Sequence, residues 1–267
     1  MPPSSRVEKA ERAYERRDLE ATKKVHTKVA IESEVHGKGR GEYLGDFVLG
    51  AIDGCVTTFA VVAGVAGASL SAGIVLIMGF ANLFADGFSM AVSNYSSLRS
   101  NQEFVEKERQ REAWEIENYP QGEVEEIRQI YKKKGFRGKD LHQAVKIITS
   151  NKDVWVDTMI RDELQLTPDI RSPWWAAMAT FSAFVIVGFI PLFSYVLAFF
   201  ILPLEFYTFQ LSILLTAVTF FCIGAAKYYV TGKSWWRTGL ETLLVGGMAA
   251  LIAYFVGYIL REIALIY

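Results

Sequence analysis

Two aspartates stand where the surrounding sequence offers them no water. Asp53 directly precedes a run, Gly54 to Ala85, that holds no Asp, Glu, Lys or Arg, and Asp86 ends it. An ionised side chain in an apolar span is costly, so it marks an ion or proton pathway that faces protein or water rather than lipid. The alternative is that either carboxyl caps or hydrogen-bonds a neighbouring helix. Spacing adds to the first reading. Glu42, Asp46 and Asp53 lie four and seven residues apart and share one helix face, while Asn82, Asp86, Met90 and Ser93 share a face of the next helix. With one helix entering near Gly45 and its neighbour leaving near Ser97, Asp53 lies about 12 Å deep, Met90 about 10 Å and Asp86 about 16 Å. These side chains can share a layer, and two such stripes facing each other form a cation path.

A second concentration of carboxylates falls between Arg99 and Glu126, with nine acids against four bases. Glu112 and Glu115 fall with Glu108 on one helical face, Glu123 and Glu126 are three apart, and Met159 and Glu163 are four apart. Carboxylates at those spacings can converge on a cation, and a thioether beside them suits a transition metal better than Mg²⁺ or Ca²⁺. The plain alternative is a solvated helix face, since Lys107, Arg109 and Arg111 are interleaved with the acids. His26, His36 and His142 have no ligand spacing, and Cys55 and Cys222 sit singly in apolar stretches. Neither a His/Cys metal site nor a disulfide framework is expected.

The elements that must carry these groups are legible in the charge pattern. Trp174–Leu204, Phe206–Ala226 and Thr242–Leu260 also lack any charged residue. About 20 helical residues cross about 30 Å of hydrocarbon, so such runs are membrane spans rather than core helices of a soluble enzyme. Five spans are expected, over about 47–68, 74–98, 174–204, 206–229 and 235–260, the third carrying Pro191. The first two form a hairpin through Ser69-Leu70-Ser71-Ala72-Gly73. Ala60, Gly64 and Ala68 on one line, with Ala63 and Gly67 on an adjacent one, allow close helix approach, either within the chain or across a dimer.

The remaining polar residues divide the chain. Residues 1–40 read as a solvated, weakly amphipathic helix ended by Gly37-Lys38-Gly39-Arg40-Gly41, with no apolar run that would make a signal peptide. Residues 41–98 form the first transmembrane hairpin, 99–172 an extramembrane helical domain, and 173–267 the last three spans. Of the 28 Lys and Arg residues, 24 lie in residues 1–172; Lys227, Lys233 and Arg237 flank the fourth-to-fifth connection, and the turns near Ser71 and Pro203 have none. The positive-inside rule then puts the N-terminus, the middle domain and the Lys233 loop in the cytosol. Trp174, Trp175, Trp235 and Trp236 fall at the expected cytosolic interface. A formal net charge of −1 leaves no basic excess, so nucleic acid is not expected as a partner.

Further short motifs run in order through residues 40–260. They are Arg40-Gly41-Glu42 followed by Asp46, Asp53-Gly54 leading to Phe59-Ala60, Ser89-Met90 before Tyr95, Glu112-x-x-Glu115 and Glu123-x-x-Glu126. Met159-Ile160-Arg161-Asp162-Glu163-Leu164, Gly188-Phe189-Ile190-Pro191, Ala226-Lys227 and Thr231-Gly232 follow. In this order and spacing the chain resembles the vacuolar iron transporter family and its bacterial relatives. The resemblance implies an all-α membrane protein, a homodimer whose protomers have five transmembrane helices and a cytosolic three-helix metal-binding domain between the second and third spans. It implies a transporter rather than an enzyme, exporting Fe²⁺ and also Mn²⁺ from the cytosol by proton antiport, with Co²⁺ and Zn²⁺ as further candidate ions. No tightly bound cofactor is expected; Fe²⁺ is the transported and regulatory ion, and protons and the lipid bilayer are its partners. By position, Asp53 and Met90 look like the intramembrane ion site, and Glu42 and Asp46 like its cytosolic entrance. Glu112, Glu115, Glu123, Glu126, Met159 and Glu163 look like the ligands of the cytosolic domain.

Two positions depart from that pattern. Ile160 stands where well-described members carry a second methionine, which removes one soft ligand, and Thr57-Thr58 replaces the Val-Pro of the eukaryotic branch. The second points to a bacterial-type member, and so to the inner cell membrane; a eukaryotic member belongs in a vacuolar-type membrane. In the implied mechanism the acidic domain collects Fe²⁺, Glu42 and Asp46 pass it to Asp53 and Met90, and carboxylate protonation from the opposite side releases it. Carboxylates beside a divalent ion titrate as a coupled set, so proton exchange needs no separate relay. Three rivals stand beside this reading: a membrane-tethered carboxylate-bridged iron oxidase, although Glu-x-x-His pairs are missing; a metal-sensing scaffold; and a passive channel, whose flux needs no pH gradient.

Overall fold

The computed structural model describes residues 6–32, 42–198, 200–228 and 234–264. The Gly37–Gly41 break, His36, the Arg40-Gly41 and Thr231-Gly232 motifs and the Lys233 loop lie outside the described residues. Those described are helical, with no strand among them, as the sequence leads one to expect. The chain divides into two compact units, residues 1–42 and 43–267.

The first unit holds α1 (Arg6–Glu15), α2 (Leu19–Val25) and α3 (Lys28–Glu32), where the sequence suggested one helix. Asp18 ends the first segment and starts the second: its carboxylate accepts from the Ala21 N–H at 3.0 Å, an N-cap of the usual kind. The buried side chains of this unit include Ala13 and Val25.

In the second unit α4 (Leu44–Gly67) and α5 (Ala72–Asn118) form the expected hairpin. At 47 residues α5 is about 70 Å long. It continues without a break through Leu98, where the span was expected to stop, so its charged outer part is also the first helix of the polar helical segment that follows. No glycine or proline interrupts the stretch from Phe88 to Asn118, and nothing local ends the helix at the membrane surface. Against that outer part pack α6 (Pro120–Lys133) and α8 (Lys152–Thr158), with α7 (Gly138–Thr149) packed on those two, and together they bury Ile127, Val145, Ile148 and Trp155 with Val105 and Ile116 of α5. Residues Met159–Glu163 then form a single turn of π-helix, closed by the Leu164 N–H on the Met159 carbonyl at 3.1 Å.

The chain returns to apolar helices with α9 (Pro173–Gly188), α10 (Ile190–Ala198), α11 (Thr208–Ala226) and α12 (Trp235–Ala264). Helices α4, α5, α11 and α12 are each long and apolar enough to cross a membrane, and α9 with α10 make a fifth span bent by 43°. Pro191 explains the bend, because it lacks the N–H that would bond the preceding turn and its ring crowds that turn. The Ser212 hydroxyl of α11 donates to the Pro191 carbonyl at 2.7 Å and holds the bent segment. Outward-facing side chains are large and apolar, Ile77, Phe88, Leu244 and Met248 among them. Water would not tolerate a surface of that size and kind, whereas acyl chains require it. The chain is a multi-pass membrane protein.

The small-residue lines of α4 find partners within the chain. A Cβ at Gly67 would lie 2.2 Å from the Tyr254 carbonyl oxygen, and one at Gly257 would lie 2.0 Å from that of Gly64, so α4 and α12 touch backbone to backbone. On another face, Gly54 meets the Phe184 carbonyl of α9 in the same manner. Helix α4 is therefore a central helix, clasped by α9 and α12 and paired with α5.

Candidate metal site

Helices α4 and α5 run antiparallel, and two contacts fix their register. Nearest the charged half of α5, the Asn94 amide donates to Asp46 Oδ1 at 2.9 Å and to Thr180 Oγ1 at 2.8 Å. Seven residues further along α4 and eight back along α5, Asp53 and Asp86 are close enough for their charges to interact. Met90 lies between these layers, half-buried against the apolar core and level with Gly50 of α4. One turn beyond Asp53 and Asp86, the same register brings Thr57 level with Asn82. Thr57 Oγ1 and Asn82 Nδ2 are both buried and without a hydrogen-bond partner among the described residues.

A polar column results, with Asn82, Asp86, Met90 and Asn94 at every fourth residue of α5 and layers about 6 Å apart. The stripe read from the sequence is correct up to Met90. There the step is four residues, not three: Asn94 continues the column, and Ser93 is exposed. Glu42 also departs from the expected pattern. Helix α4 begins at Leu44, so Glu42 precedes it and no helical face carries the four-residue spacing to Asp46.

Asp46 is only 6% exposed, and its second oxygen is occupied. Arg171 Nη1 donates to Asp46 Oδ2 at 2.9 Å. The other edge of the guanidinium is held by Asp169, which accepts from Nη2 at 2.8 Å and from Nε at 3.1 Å. Arg171 and Asp46 are 125 residues apart in sequence, so no local pattern could have paired them. A basic residue just before an apolar span was the only available signal.

In the polar helical segment the outer part of α5 and α6 meet at their acidic faces. One carboxylate oxygen from each of Glu112, Glu115 and Glu123 falls within 4.8 Å of the others. Glu112 is 1% exposed and Glu123 5%, which is rare for carboxylates unless something compensates them. Arg111 supplies part of that, donating to Glu108, Glu112 and Glu115 at 2.9, 2.7 and 2.7 Å. Glu123 Oε2 is buried with no hydrogen-bond partner among the described residues. Loss of hydration, then the Glu126 and Glu112 charges, push Glu123 up to about 7. Burial also raises Glu112, against the pull of Arg111.

Glu163 joins from the π-turn. Desolvation and the neighbouring Glu126 and Glu112 charges push it up to about 7, and its hydrogen bond with Glu126 requires one of the two to carry a proton. Met159 is placed differently. It is fully buried in the apolar core with Ile160 and Ile127. The π-turn widens the winding at this point, so the four-residue spacing of Met159 and Glu163 does not mean the shared α-helical face expected. His26 and His142 are exposed, and neither belongs to the carboxylate cluster.

The sequence profile of the VIT family matches residues 44–258, most of the chain. The chain belongs to the VIT family. A vacuolar iron transporter of Toxoplasma gondii is 35% identical over 96% of this chain and 88% of its own length. One of Plasmodium berghei is 34% identical over 94% of this chain and 95% of its own, and vacuolar iron transporter 1 of Arabidopsis thaliana 32% identical over 80% and 84%. All three are eukaryotic proteins, so the expectation of a bacterial-type member draws no support from them. The matched region of this VIT family chain begins at the first residue of α4 and contains the whole polar column and the whole acidic cluster.

Proposed function

We propose that this VIT family protein carries divalent metal, Fe²⁺ first among candidates, across the membrane in exchange for protons. The observation that carries the reading is the Asp53–Asp86 layer: two carboxylates at one level of apolar helices, near enough for their charges to interact, one turn from a thioether. A pair of like charges in that environment is stable only with a cation or a proton between them. A divalent ion satisfies both at once, and its release requires protons to take its place. Metal flux and proton flux are thereby linked at one set of oxygens.

The relatives' printed names, vacuolar iron transporters, favour iron as the cargo. Met90 suits Fe²⁺ better than Mg²⁺ or Ca²⁺. Asp46 serves as the entrance to the column and Asp53 with Met90 as the central site, with Thr57 and Asn82 offering the next polar groups on the way out. The acidic cluster of Glu112, Glu115, Glu123, Glu126 and Glu163 acts as the collecting and regulatory site. The basic residues of the middle domain support a cytosolic location for it, so that transport removes metal from the cytosol. A homodimer remains part of the proposal; the intramolecular packing of Gly64 and Gly67 leaves any dimer to use other surfaces.

The test is uptake by proteoliposomes containing the full chain and a luminal pH dye, with Fe²⁺ kept reduced and Mn²⁺, Co²⁺ or Zn²⁺ as competitors. Metal entering with stoichiometric alkalinisation of the protein's metal-releasing side supports exchange. Metal flux that ignores an imposed pH gradient identifies a passive channel instead.

A further inference from the structure

The segment between the acidic domain and α9 bears directly on the polar column. Gln102 of α5 donates to the carbonyls of both Asp169 and Arg171, at 2.9 and 2.7 Å, and the Tyr43 hydroxyl accepts from the Ser172 N–H at 3.1 Å. Asp169 Oδ1 also accepts from the Arg171 N–H at 3.0 Å. Residues 169–172 are thus anchored to α5 and to the start of α4, and Asp169 grips the Nε and Nη2 edge of the Arg171 guanidinium. From this anchored base Nη1 reaches Asp46.

Asp46 Oδ1 keeps the Asn94 amide, while Oδ2 is covered by a fixed positive charge. An incoming divalent cation must displace that charge to reach Oδ2. Arg171 can yield without becoming an uncompensated cation, because two of its nitrogens already lie on Asp169, and the rigid guanidinium can swing as one unit about that edge, carrying Nη1 off Asp46.

We propose that Arg171 is a retractable counter-cation at the mouth of the column: Nη1 holds Asp46 Oδ2 and swings away, keeping its hold on Asp169, when a divalent cation takes that oxygen. The inference rests on Asp46 as the entrance and adds a positioning residue that sets how readily the entrance accepts metal. Charge balance at Asp46 is kept through the exchange, so the buried carboxylate is never left bare. The same segment leads back to Glu163, which gives the acidic domain a short physical connection to the mouth.

The experiment is Fe²⁺ uptake by the reconstituted full chain, with KM and maximal rate measured separately for Arg171→Gln, Asp169→Asn and the double variant. Arg171→Gln removes the competitor and lowers KM at least threefold. Asp169→Asn weakens the grip on the Nε and Nη2 edge, so Arg171 withdraws from Asp46 less readily and KM rises by a similar factor. The double variant follows Arg171→Gln. A purely structural ion-pair network moves both single variants the same way, and that result, or an unchanged KM in both, overturns the proposal. Where Arg171→Gln fails to fold, Asp169→Asn alone decides by the direction of its KM. Asp46→Asn separates the two layers of the argument: unchanged uptake removes Asp46 from the path altogether, whereas reduced uptake with same-direction single variants removes only the retractable cation.

Discussion

Asn94 places one amide nitrogen between two helices, 2.9 Å from Asp46 Oδ1 on α4 and 2.8 Å from Thr180 Oγ1 on α9. The bond fixes the level at which α5 faces α4, and with it the meeting of Asp53 and Asp86 two turns deeper. Asn94→Leu keeps the volume but leaves a buried carboxylate short of one donor. The expected cost is about 1–3 kcal/mol of stability, read as a lowered Tm of the detergent-solubilised protein. An unchanged Tm contradicts the role of this bond.

Close backbone contact between α4 and α12 makes a second, geometric prediction. Gly257→Val sets a branched side chain against the Gly64 carbonyl and forces the helices apart, with an expected cost of about 1–3 kcal/mol. Gly247 sits on the same helix with no atom near its missing Cβ, so Gly247→Ala is expected to be neutral. Paired melting curves check both.

Thr57 separates folding from transport. Its buried hydroxyl has no hydrogen-bond partner among the described residues, so Thr57→Val removes an unsatisfied group and leaves stability equal or slightly higher. If the hydroxyl serves the passing ion, the same variant slows metal uptake severalfold. A stable variant with full uptake assigns Thr57 no part in the path.

The acidic cluster predicts the pH dependence of metal binding. Glu123 titrates near 7 in the folded protein against an ordinary 4.5. From about pH 4.5 to 7 the folded state holds a proton that the unfolded state has released, so without metal the domain loses stability as pH rises through that window. A metal ion must displace the proton. Apparent affinity therefore rises with pH up to about 7, by as much as about tenfold per unit for each proton displaced, and levels off above it. Metal titrations between pH 5 and 8 should show that break, and Glu123→Gln should lower the slope by the share of its own proton, leaving that of Glu163.

Much of this was legible in the sequence because the bilayer forces it to be. Long charge-free runs marked the spans, and an aspartate inside one had to face something other than lipid. The Asn82, Asp86 and Met90 stripe survived because a regular helix carries spacing faithfully into space. What failed did so where the backbone left that regularity or where partners were distant in the chain. Glu42 lost its alignment with Asp46 because α4 starts two residues later. A π-turn that no residue type announces changed the spacing of Met159 and Glu163 around their helix. The continuous α5 hid the domain boundary, since a change from apolar to charged side chains does not break a helix. Arg171 became visible only when the fold brought it to Asp46.

The central claim is that Asp53 forms the intramembrane site through which metal and protons exchange. Its most direct test is Asp53→Ala in proteoliposomes, with metal uptake and luminal pH followed together and folding confirmed by an unchanged elution profile. The account predicts that both signals fall to the level of protein-free liposomes. Uptake and proton movement at wild-type rates would contradict it.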